Sequence, residues 1–141
     1  MKKFIISESQ LKFIVENISY QPEKIDEFVI EANSNLDKIR NTFNSYLTTI
    51  TNLTINDINE NIDKNNELLL KMKSFEEGIS KIHDKYYNIV DLYDFLDSPT
   101  NVSQLEKITT NIDELYFSFG KLCEAHENLI DSSKRLLEFN K

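Results

Sequence analysis

The chain has no tryptophan, one cysteine, two glycines, two prolines and two histidines in 141 residues. Each scarcity excludes something. A lone thiol, Cys123, cannot close an internal disulfide. So little glycine and proline leaves too few turn formers for an all-β domain or a phosphate-cradling loop. Cys123 and His126 sit about one helical turn apart, but no second cysteine exists to complete a zinc site. No apolar run approaches the roughly 20 residues of a membrane span. Basic residues are scattered, with only Lys2–Lys3 and Lys134–Arg135 adjacent, and the net charge is −8. That balance argues against direct nucleic-acid binding, which clusters Lys and Arg on one face. Walker, Rossmann, kinase and nucleophile-elbow patterns are absent.

What remains is helical periodicity. From Leu105 the apolar positions run Ile108, Ile112, Leu115, Phe119 and Leu122, then His126, Leu129, Ser133 and Leu136. Steps of three and four alternate without a slip, which is a heptad seam. A second stripe, Val102, Tyr116, Cys123, Ile130 and Leu137, widens it to the face of a bundle helix. The same spacing recurs from Ile25 to Leu53 and from Ile55 to Leu96. These patterns predict one all-α domain over 1–141, an antiparallel three-helix bundle of long coiled-coil-like helices with a short N-terminal helix.

Helix A is expected over about 8–19, capped by Ser7 and stopped by Pro22. Helix B follows over about 22–51 and helix C over about 55–97. Helix D runs over about 101–139 after the Asp97–Asn101 break. A turn at 51–55 is marked by β-branched Thr and by Thr54 followed by Asp57, an N-cap pattern. An unbroken helix from Pro22 to Leu96 would reach about 110 Å, too long for so small a compact chain.

Counting outward from the turns sets levels. Facing residues of C and D should have numbers adding to about 199, and those of B and C to about 107. Gly78 then comes level with Gly120, which suggests a close helix approach. The core position between Ile62 and Leu69 falls on Asn65 or Asn66, and Asn66 comes level with Ser133 and Asn41, a structural polar layer of the kind that fixes register at some cost in stability. Replacing Asn66 by leucine should stabilise the fold and loosen its pairing.

No catalytic, metal or cofactor residue emerges. A Cys123–His126 pair inside a continuous helix would lack an oxyanion hole, although an enzyme or ligand-binding bundle built on it is one alternative. The function read from the sequence is non-catalytic: an adaptor, assembly part or accessory subunit that binds another protein or itself. Its candidate surfaces are Leu11, Ile14 and Ile18 of helix A, the acidic run Asp91, Asp94 and Asp97, and exposed aromatics such as Tyr87, Phe117 and Phe139. The basic N-terminal start lacks a long apolar run, so the expected location is the cytoplasm. The stretch Ile6-Ser7-Glu8-Ser9-Gln10-Leu11-Lys12 resembles the opening of many small bacteriophage proteins. A second alternative is accordingly a phage-encoded acidic inhibitor that blocks a basic site on a host nuclease or defence protein.

Overall fold

The computed structural model describes residues 24–96 and 102–139. Helix A, with Leu11, Ile14 and Ile18, lies outside the described residues, as do Asp97 and Asn101. Among the described residues four helices follow in order: α1 (Ile25–Thr51), α2 (Ile55–Glu60), α3 (Ile62–Phe95) and α4 (Ser103–Phe139). No strand occurs among the described residues, and no described helix is long and apolar enough to cross a membrane. The long helices form the expected antiparallel bundle. Both α1 and α3 pack chiefly on α4 and much less on each other.

The break near residue 53 falls where the sequence placed it. Asn52 closes α1, and Thr54 caps α2 through a capping box. Its Oγ1 accepts from the Asp57 amide at 3.1 Å, while Asp57 Oδ2 accepts from the Thr54 amide at 2.8 Å. Those contacts hold the Asp57 carboxyl below its ordinary range, first through the Thr54 backbone donor.

A second break went unread. Expected helix C divides at Asn61, whose φ of −134° and ψ of 47° leave the helical region. The α2 segment lengthens the corner, and this moves the α1–α3 register. Tyr46 faces Phe75, Asn35 faces Tyr86, and Glu31 faces Lys85. These numbers add to about 120, not 107. The α3–α4 register holds, with Lys73 opposite Glu127, Phe75 opposite Phe119 and His83 near Asp113. Helices α1 and α4 share a direction, and Phe43 lies beside Phe119.

The shifted corner corrects the polar layer. Asn41 is exposed near the middle of the bundle, far from Ser133. Asn65, not Asn66, is the buried asparagine, and its amide donates to the Asn61 carbonyl at 2.9 Å. Ser133 is buried as expected and lies two helical turns beyond buried His126.

The glycine pair also needs correction. A Cβ at Gly78 would meet no atom within 4 Å, so no close approach demands that glycine. A Cβ at Gly120 would come 2.7 Å from Glu76 Oε2, the end of a flexible side chain. Gly78→Ala should therefore raise stability by about 1 kcal/mol through helix propensity. Gly120→Ala should gain less, because Glu76 must move. Urea midpoints of the two variants check that order.

Candidate functional site

Two faces meet in a groove of about 250 Å³ between α3 and α4. The α3 side brings His83, Tyr87, Val90 and Asp91, at spacings that keep them on one side of a helix. The α4 side brings Glu106, Thr109, Thr110 and Asp113 at the matching spacing. Because α3 and α4 are antiparallel and in register here, the two sets come level along the groove.

The groove presents acceptors. His83 Nδ1 lies 3.2 Å from Asp84 Oδ1, and its Nε2 lies 3.9 Å from Asp113 Oδ1. The Tyr87 ring stacks on the His83 ring, with centroids 5.7 Å apart and planes 22° apart. Thr109 and Thr110 spend their hydroxyl protons on the carbonyls of Leu105 and Glu106, at 2.8 and 3.0 Å. Their oxygens can then only accept. No Lys or Arg lines the space. Asp91 is 9% exposed and has a partner of its own, so Glu106 and Asp113 carry the negative charge the groove offers.

The sequence candidates are partly gathered here. Asp94 is exposed and lies one turn beyond Val90 on the same side of α3. Phe117 is 62% exposed and lies one turn beyond Asp113 on α4, in edge contact with Tyr116 at 5.6 Å. Asp91 does not belong to an exposed acidic surface as expected. Residues Ile89 to Tyr93 are all buried, so the end of α3 has no outer face at that level. Sequence reading missed His83, Glu106 and Asp113. The available signal was the C–D level count, which already set His83 near Asp113.

Elsewhere the chemistry is muted. Burial pushes the Cys123 thiol up to about 11, so it stays protonated at neutral pH. His126 is fully buried, which lowers its pKa, with the Asn65 backbone acting weakly the other way. Neither ring nitrogen makes a hydrogen bond of acceptable geometry. Among the described residues no three His, Cys, Asp or Glu side chains are placed to hold a metal ion. On the α1–α3 side, Tyr86 donates to Glu31 at 2.8 Å and accepts from Asn35 at 2.7 Å. Lys85 also pairs with Glu31, and this bond is the leading reason the Glu31 carboxyl titrates below its usual range.

The chain matches no protein family, no curated protein and no solved structure.

Proposed function

We propose that this is a non-catalytic cytoplasmic protein that works by binding another protein, and that the α3–α4 groove receives a basic segment of that partner. The supporting observation is the groove's chemistry. Glu106 and Asp113 flank it, the Tyr87 ring lines it, and no Lys or Arg of the chain lines it. An arginine or lysine side chain entering there meets carboxylates at its charged head and an aromatic face along its length. Exposed Phe117 beside the groove offers a seat for an apolar neighbour on the same segment. The chain's charge of −8 favours encounter with a basic partner.

A titration with a short arginine-containing peptide, followed by amide chemical shifts, tests this. Shifts should concentrate at residues 83–94 and 106–117. The double variant Glu106→Gln, Asp113→Asn should weaken binding about tenfold or more, since it removes the charges that pair with the guanidinium. Equal binding by that variant, or shifts spread evenly over the bundle, would reject the groove.

The inhibitor alternative keeps the same acidity and changes its purpose. There the carboxylates stand in for phosphates, and affinity for the host protein falls steeply as salt rises.

A further inference from the structure

The outer face of α1 lacks what the rest of the surface has. Residues 41–56 form a run of sixteen without a charged side chain, in a chain of which 28% is charged. The next longest such run, 98–105, is half that length. On α1 helical spacing divides the run into two sides. Phe43 and Tyr46 turn inward to Phe119. Asn41, Asn44, Ser45, Thr48 and Thr51 recur at steps of three and four on the other side, and all five are exposed. Leu47 flanks this ridge and Ile55 follows it at the start of α2, and both are exposed.

The ridge is polar, yet covering it costs little. Ser45 Oγ donates to the Asn41 carbonyl at 3.1 Å, and Thr49 Oγ1 to the Ser45 carbonyl at 3.0 Å. Thr51 Oγ1 donates to the Thr48 carbonyl at 3.2 Å, and Thr54 Oγ1 to Asp57 Oδ2 at 2.9 Å. These hydroxyl protons are already placed within the chain. Excluding water from them strands no donor and leaves threonine methyls to pack. Surfaces that face only water are normally charged, whereas the centres of interfaces are depleted of charge.

We propose that this ridge is where two copies of the chain meet, as a weak, reversible dimer with antiparallel α1 helices. Charge selects the occupant. Each copy carries −8, so two copies repel wherever their acidic faces approach. Along 41–56 neither brings a charge to the other. The asparagines select the same occupant. The amides of Asn41, Asn44 and Asn52 each carry a donor and an acceptor, so a two-fold axis across the ridge lets identical groups satisfy one another. A basic partner, which suits the α3–α4 groove, would find no counter-charge here. The helical part of the ridge, Asn41–Thr51, is about 16 Å long. A standard interface buries about 1,600 Å², more than that length supplies, so the dimer is transient.

Sedimentation equilibrium on the intact chain tests the proposal. The mass should climb from monomer toward dimer between about 10 µM and about 1 mM, the range of so small a contact. Raising salt from about 0.05 M to about 0.5 M should tighten the dimer, because it screens the repulsion between two acidic copies. Thr48→Glu sets like charges against each other near the axis and should weaken association about tenfold or more. Asn44→Glu, one turn away, should act alike. Ser74→Glu adds the same charge to an exposed position of α3 and should change the affinity by less than about twofold. A chain that stays monomeric throughout overturns the proposal and leaves the face to a different occupant. A dimer that loosens as salt rises overturns it too, as does one that both ridge variants leave intact or that Ser74→Glu weakens equally.

Discussion

Phe119→Ala should cost the bundle about 3–5 kcal/mol, the largest loss expected from any single truncation here. Phe119 is fully buried and is the point where rings from all three long helices converge. Phe75 on α3 meets it edge-on at 4.8 Å and 89°, and Phe43 on α1 meets it at 5.3 Å. Tyr46 adds a tilted contact at 5.6 Å. Part of the loss is apolar surface returned to water. A further part is the set of ring pairs, each worth about 0.5–1.5 kcal/mol. The remainder is the void left among three large rings anchored on different helices, which cannot close by a small side-chain shift. Urea denaturation measures the loss directly. A cost below about 1 kcal/mol would mean that the rings re-pack and that the centre of the bundle is not fixed by Phe119.

His126→Leu should move stability the other way, by about 1–3 kcal/mol at neutral pH. The heptad places an apolar residue at 126, and the imidazole there leaves two nitrogens without partners. Leucine removes those groups and fills the seam at comparable volume. Adding Ser133→Ala should extend the gain, since Ser133 Oγ is likewise buried and unpartnered. The midpoint of urea unfolding at about pH 7.5 reports the change, with an unaltered slope showing that the fold is retained. A loss of stability in His126→Leu would show that the ring is hydrogen-bonded in solution. The same gain is not expected at Asn66, which is only half-buried, nor at Asn65, whose amide already bonds the Asn61 carbonyl.

Much of this was legible in the residues. The unbroken seam of α4 gave the long central helix, and Thr54 with Asp57 gave the start of α2. The α3–α4 register came out correctly because no unmarked break falls inside either helix between Ile62 and Phe95 or between Ser103 and Phe139. The α1–α3 register did not, because nothing at Asn61 announces a break. Apolar spacing continues across it from Ile58 to Ile62, with neither glycine nor proline nearby. That one omission displaced Asn41 from the polar layer, while the core position between Ile62 and Leu69, open to Asn65 or Asn66 by spacing, is taken by Asn65. The groove was half legible. Asp94 and Phe117 were found as exposed side chains, while Glu106 and Asp113 look like ordinary surface acids until α3 is laid alongside. Asp91 misled because its period of three implies an outer face, and α3 has none at that level.

The parallel course of α1 and α4 also constrains how the chain assembles. Phe43 and Phe119 are far apart in sequence, whereas Phe75 reaches Phe119 through a single hairpin. Closing the longer loop first carries the greater entropic cost. The α3–α4 hairpin is accordingly the natural nucleus, and α1 is the late arrival that lies down along a platform already built.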